Sequence, residues 1–260
     1  MPFIKDEDRQ QIVKLFDALE HPVRLVTFVG GVGCQYCDDT RRLVEEVAAL
    51  SSKITLDIFD YAKDADQVKR FGIDRTPATV IMGDDDYGIR LYGVPIGYEF
   101  STLIEDIIMV ARRDSGLSKE TRVRLATIVD PIHLKVFVTL MCSHCPGAVR
   151  LAHQMAMESP KVSADMIEAT EFPELAQHHG VMGVPKTIAN DPQFQDRFPW
   201  YPASRHGAEM LPFPVKYRGE ELPEPRMAPT VGEHSEEVLR EVLGYDAEKI
   251  TALREAGVFG

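Results

Sequence analysis

The chain has 260 residues, enough for about two domains at roughly 150 residues each, and its 44% hydrophobic and 27% charged content excludes wholesale disorder and collagen-like or membrane-spanning classes. Forty-one acidic against 29 basic residues leave a net charge of −12, which argues against nucleic acid or an anionic membrane as the main partner. The charged opening from Met1 to Arg9 lacks the apolar stretch of a signal peptide and no segment runs to 18 apolar residues, so a cytoplasmic location is expected.

In chain order, an apolar, β-branched run over Val23–Val29 predicts a strand that ends at Cys34-Gln35-Tyr36-Cys37. A helix follows with Leu43, Val44, Val47 and Leu50 on one face, then a strand over Ile54–Phe59 whose acids alternate with apolar residues as on a half-buried strand. A polar helix closes at Gly72, Pro77 leads a strand to Met82, and Asp84-Asp85-Asp86 between Gly83 and Gly88 reads as a hairpin turn before a strand to Tyr92. A helix is predicted from about Phe100 to Ala111. The series then starts again: a strand over Ile132–Leu140, Cys142-Ser143-His144-Cys145, a helix bearing Val149, Ala152 and Met155, a half-buried strand over Val162–Ile167, a helix closing with His178-His179 at Gly180, and Pro185.

All four cysteines lie in the two Cys-x-x-Cys pairs, and both members are displaced by 108 positions. The same displacement carries Gly72 to Gly180, Ile73 to Val181, Pro77 to Pro185, Thr79 to Thr187 and Val80 to Ile188. One unit is present twice without an insertion, in the order β, CxxC, α, β, α, Pro-β.

A cysteine at the start of a helix faces the positive end of the helix dipole, which lowers its thiol pKa from roughly 8.5 toward neutrality. A second thiol three positions on, one turn away on the same face, can displace a mixed disulfide from within the molecule. Cys34 and Cys142 are therefore expected to attack, and Cys37 and Cys145 to resolve. Tyr36 and His144, inside the pairs, are the site-tuning residues. An imidazolium stabilises a thiolate, so the second pair is expected to be the better oxidant, unless His144 is simply an exposed loop histidine. Two such pairs also suit a four-cysteine zinc site, but zinc ribbons space them about 15 to 20 residues apart, whereas 104 residues separate Cys37 from Cys142. No metal is expected.

The segments Cys-Gln-Tyr-Cys with Ile73-Asp74-Arg75-Thr76-Pro77-Ala78-Thr79, the second CxxC with Gly180-Val181-Met182-Gly183-Val184-Pro185-Lys186, and Met166–Glu174 resemble the two-unit, glutaredoxin-like protein disulfide oxidoreductases of thermophilic archaea and bacteria over residues 3–190. The resemblance implies an α/β protein of two tandem thioredoxin folds, each with a redox-active pair beside a cis-proline. Pro77 and Pro185, following Thr76 and Val184, match those prolines, and their backbones would bind an extended substrate peptide by strand addition. It also implies protein thiol or disulfide substrates, electrons from a thioredoxin-reductase-like flavoprotein and no cofactor on the chain. Single-unit thioredoxins carry a buried aspartate in the strand before the pair, whereas the matching positions here hold Phe28 and Val136. Asp57, Asp165 or water are then the candidates for proton handling, against the plainer reading of strand acids as a solvated face.

The repeat breaks after Asn190. Displaced by 108, the last helix of the first copy lands on Pro212 and Pro214, and residues 199–229 hold seven of the 17 prolines. Two capped helices are predicted near the end, with Ser235 and Asp246 as caps. Residues 191–260 resemble the C-terminal tail of family III CoA-transferases, without the domain that carries that family's catalytic aspartate. Val215–Arg218 and the apolar face of Val238, Leu239, Val242 and Leu243 are candidates to complete the second fold.

The expected divisions are 1–115 for a first unit with an N-terminal helix, 116–190 for a second unit atypical at its C-terminal end, and 191–260 for a proline-rich and helical extension. The expected function is protein dithiol–disulfide exchange. The alternatives are an electron donor to peroxiredoxin-like partners, or a binding or assembly module that uses the tail and whose thiols are incidental.

Overall fold

The computed structural model describes residues 2–189, 238–242 and 244–257. The chain divides into two compact units, Met1–Phe194 and Gln195–Gly260. In the first, α1 (Asp6–Asp17) precedes β1 (Val23–Val29), α2 (Cys37–Ala48), β2 (Ile54–Asp60), α3 (Ala65–Phe71), β3 (Ala78–Met82), β4 (Ile89–Tyr92) and α4 (Glu99–Arg112). After α5 (Lys119–Leu125) come β5 (Ile132–Val138), α6 (Cys145–Glu158), β6 (Val162–Glu168), α7 (Pro173–His178) and β7 (Lys186–Ala189).

All seven strands form one sheet in the order β2-β1-β3-β4-β6-β5-β7. The two repeats are therefore one structure, joined where β4 pairs in parallel with β6 from Ile89↔Ala164 to Tyr92↔Ile167. Strand direction follows from the pairings: β1, β2, β4, β5 and β6 run one way, and β3 and β7 the other. Alternation along the strands fills a core on each face. One buries Leu25, Leu91, Val136 and Met166 with Leu43, Leu103, Ile107 and Val149 of α2, α4 and α6. The other buries Val26, Phe28, Phe137 and Ile167 with Phe71 and Ala176 of α3 and α7.

The junction corrects one expectation. Alternation over Val162–Ile167 predicts a half-buried strand, yet β6 is buried along nearly its whole length, because it lies between β4 and β5 rather than at an edge. Its counterpart β2 stands at the sheet edge and is only partly buried. A second correction concerns the displacement of 108. It holds for the cysteines and for β2 and β6, but Val23 and Ile132, the paired starts of β1 and β5, are 109 apart. The extra residue of the first copy's approach to its cysteines sits in Gly30-Gly31-Val32-Gly33, where all three glycines have positive φ. Phe28 consequently corresponds to Phe137, not to Val136.

Among the described residues β7 pairs with β5 alone. The candidates for completing that edge, Val215–Arg218 and Leu243, lie outside the described residues, as do Ser235 and most of the CoA-transferase-like stretch. Within the second unit, Val238–Val242 forms a π-helical turn rather than the α-helix expected there. It is followed by α8 (Ala247–Glu255), capped by Asp246, whose carboxylate accepts the Lys249 N–H.

Two glycines with similar positive φ separate conformational strain from close approach. A β-carbon at Gly97 (φ 62°) would collide with the Leu140 carbonyl oxygen in the segment leading to Cys142, whereas one at Gly72 (φ 64°) would meet nothing within 4 Å. Gly72→Ala is expected to cost about 1–2 kcal/mol, from the left-handed backbone alone. Gly97→Ala is expected to cost about 3 kcal/mol or more, because the overlap is added. Urea unfolding midpoints of the two variants check the difference.

Candidate active site

Each cysteine pair sits in the loop that leaves the C-terminal end of a parallel strand, β1 or β5, and enters a helix. The sequence pattern puts the first cysteine at the helix start. In the structure the second cysteine opens the helix, with Tyr36 and His144 at the N-cap positions, and the first lies in the turn just ahead of it. Both pairs are bonded, Cys34 to Cys37 and Cys142 to Cys145. Cys34 and Cys142 are half-buried, whereas Cys37 and Cys145 are 7% and 0% exposed. An incoming sulfur thus has access to the first member of each pair and not to the second.

The first pair is held from two sides. The Gly30 N–H donates to Cys37 Sγ at 3.0 Å, and Thr76 Oγ1 donates to the Gly30 carbonyl at 2.6 Å, tying the glycine loop to the segment before Pro77. The Thr76–Pro77 and Val184–Pro185 peptide bonds are both cis, so Thr76, Pro77, Val184 and Pro185 stand where the repeat places them. At the second pair, Cys145 N–H bonds the Cys142 carbonyl, and Tyr98 N–H from the start of α4 bonds the Leu140 carbonyl. Around this site Met141, His144, Met182 and Pro185 are exposed, whereas Pro77 at the first is buried.

Burial of Pro77 accompanies a feature invisible in the repeat. A cleft of about 470 Å³ opens beside Cys34 and Tyr36, and its far side is made by Thr170, Glu171 and Phe172 from the β6–α7 loop. Phe172 stacks edge-on to Tyr92, and the Arg75 guanidinium lies over both rings while pairing with Asp74. That pairing holds the Asp74 carboxyl below the usual carboxylate range. Glu171 Oε1 accepts the Val94 N–H at 2.7 Å, two residues past β4, while its Oε2 is buried with no hydrogen-bond partner. Burial, reinforced by Glu168 and Asp39, pushes the Glu171 carboxyl up to about 7, against the pull of the Val94 bond.

The candidate proton-handling acids fare differently. Asp57 is paired with Arg24 across β1 and β2, at 2.5 Å. Asp165 is buried and bonded to His133 at 2.6 Å across β5 and β6. Both sit mid-strand and neither lines the cleft. Asp165 is thus not on a solvated face either, because β6 is interior. Sequence reasoning missed the polar groups of the junction: buried Glu168 and half-buried Glu171, and on the other face buried Glu99 of α4 and the buried His153–Asp106 pair, bonded at 2.7 Å between α6 and α4. Burial raises the Glu99 carboxyl. For Glu168, Glu99, Asp106 and His153 the only signal was acids and a histidine falling on otherwise apolar helix or strand positions; Glu171, in the β6–α7 loop, gave none.

Residues 26–105 and 132–194, together more than half of the chain, match the thioredoxin domain family. The chain belongs to that family. Among solved structures, this thioredoxin-domain protein is similar to the alkylhydroperoxide reductase AhpF of Enterococcus faecalis, at 26% identity and a TM-score of 0.67 over 74% of this chain and 92% of that one. It is equally similar, at 28% identity and a TM-score of 0.67, to a protein disulfide oxidoreductase from Aeropyrum pernix, over 72% of this chain and 84% of that one. Curated relatives include an alkyl hydroperoxide reductase subunit of Staphylococcus epidermidis, 25% identical over 72% of this chain, and an NADH dehydrogenase of Bacillus subtilis, 26% identical over 60%. The chain spans about a third of the length of these relatives. Both matched segments carry a disulfide-bonded Cys-x-x-Cys pair.

The half-buried Glu171 carboxyl carries a stability consequence. The folded chain keeps its proton up to about pH 7, whereas the unfolded chain releases it near 4.5. Its contribution is therefore fully present below pH 4.5 and is lost as the pH rises through 7. Glu171→Gln, which keeps an acceptor for Val94, is expected to be more stable to urea than the parent at pH 8, by about 2 kcal/mol after allowance for solvent screening, and to match it at pH 4.

Proposed function

We propose that this protein exchanges disulfides with protein substrates at both pairs, with Cys34 and Cys142 as nucleophiles and Cys37 and Cys145 resolving the mixed disulfides. The observation that carries the reading is the asymmetry within each pair, a half-buried first cysteine and a buried second one. The backbone at Thr76–Pro77 and Val184–Pro185, just ahead of β3 and β7, would receive an extended substrate segment. Electrons would come from a thioredoxin-reductase-like flavoprotein, and the cytoplasm is the setting that keeps such dithiols supplied. Among the described residues no helix is long and apolar enough to cross a membrane.

A second reading is a donor of electrons to a peroxiredoxin-like partner. What favours it is similarity to proteins named as a subunit of alkyl hydroperoxide reductase, over nearly three quarters of this chain.

The two pairs would differ in potential. The first turn of α2 carries Asp38 and Asp39, which oppose a thiolate at that helix end, whereas the first turn of α6 has no acid and His144 stands at its N-cap. With dithiothreitol as the electron source, the wild type is expected to accelerate insulin reduction and Cys34→Ser/Cys142→Ser to leave only the background rate. Activity retained in the double variant would defeat the reading. Redox titration of each pair, with the other changed to serine, is expected to give the more oxidising potential at Cys142–Cys145 by about 30 mV or more, a tenfold equilibrium difference.

A further inference from the structure

We propose that Glu171, supplied by the second repeat, is the acid–base group of the first site, passing a proton to and from the sulfur that exchanges with Cys34 in the cleft. This rests on the reading that Cys34–Cys37 is a working redox pair.

Three observations converge. The β6–α7 loop closes the cleft in which Cys34 and Tyr36 are presented, so any substrate sulfur bonded to Cys34 lies between the first repeat's cysteine loop and the second repeat's carboxyl. Glu171 is oriented by the Val94 N–H through one oxygen, which leaves the other free of partners and spared for a proton. Cys37 does not line the cleft; it is buried and bonded by the Gly30 N–H, so the proton exchanged in the cleft belongs to Cys34 or the substrate. The position that matches Glu171 in the first repeat is Lys63, which is exposed and paired with Asp60. The carboxyl is thus not part of the repeated unit and comes to the site only through the joining of the two sheets.

The groups facing it are defined. Glu168 at the end of β6 and Asp39 on α2 both disfavour its charged form, as does burial, and the cleft beyond holds Tyr36, Tyr61 and the Asp74–Arg75 pair. A carboxyl half-protonated near neutral pH can both give and accept a proton, the condition for acid–base catalysis in either direction.

In reduction of a substrate disulfide, the Cys34 thiolate attacks one substrate sulfur. The Cys34–sulfur bond forms, the substrate S–S bond breaks, and the electron pair leaves on the second substrate sulfur, which takes the proton of Glu171. Cys37 then loses its proton to solvent and attacks Cys34 Sγ. The Cys34–Cys37 bond forms, the mixed disulfide breaks, and the first substrate sulfur leaves as a thiolate, protonated by Glu171 reloaded from solvent. Two electrons pass from the dithiol to the substrate. In the reverse direction the carboxylate removes the proton of the incoming thiol.

The test uses the full chain with Cys142→Ser/Cys145→Ser, so that only the first pair reacts, and measures the pre-steady-state rate with oxidised glutathione from pH 5 to 9. Glu171→Gln is expected to slow the reaction at least tenfold at pH 7 and to flatten the inflection near pH 7. In the complementary background, Cys34→Ser/Cys37→Ser, the same substitution is expected to leave the second pair unaffected. Glu171→Asp is expected to keep the inflection at a reduced rate. An unchanged pH profile in Glu171→Gln, an equal loss at both pairs, or loss of the inflection in Glu171→Asp would overturn the proposal. If the parent with only the first pair does not react at all, the redox reading of that pair fails and this inference falls with it; if the parent reacts and the variant matches it, only this inference fails.

Discussion

Everything distinctive about this protein follows from four residue pairs of parallel backbone between β4 and β6, from Ile89↔Ala164 to Tyr92↔Ile167. A thioredoxin fold on its own ends its sheet at β4 and leaves that edge exposed. Here the edge is taken by the second repeat, helped by Gly88, whose carbonyl accepts the Ala164 N–H and whose missing side chain lets the Ser163 backbone approach. The pairing satisfies an edge that would otherwise invite association, and merges what would be two small cores into two continuous ones, one on each face.

The same junction explains why the two cysteine sites, alike in sequence, are unlike in surroundings. Joining β4 to β6 swings the β6–α7 loop over the first cleft, so Pro77 is covered while Pro185 is open. The approach to Cys34 is three positive-φ glycines, whereas the approach to Cys142 is Thr139-Leu140-Met141, held by the Tyr98 N–H. The first site is a walled cleft entered past a glycine loop, and the second is an open surface rimmed by exposed methionines.

Much of this was legible in the residues. Cysteine spacing and the shared displacement of Gly72/Gly180 and Pro77/Pro185 report local chemistry, a left-handed helix end and a rigid turn, that any copy of the unit must repeat. Strand periodicity likewise located β1, β2, β5 and β6 within a residue or two. What the residues did not report was which strand lies beside which: pairing of β4 with β6 depends on backbone hydrogen bonds that every residue can make. The errors over β6 burial, Asp165 and the importance of Glu171 all descend from that one gap. The single-residue slip between β1 and β5 was hidden for another reason, since glycine loops absorb an insertion without disturbing the hydrophobic pattern on either side.

Because β1 and β5 run the same way, both disulfides emerge at one end of the sheet, separated by four strand spacings, about 19 Å. Sulfur exchange requires the atoms to come within bonding distance, about 2 Å. Direct sulfur exchange between the two pairs is therefore ruled out while the sheet is intact, and under the proposed function each pair must be reduced or oxidised separately.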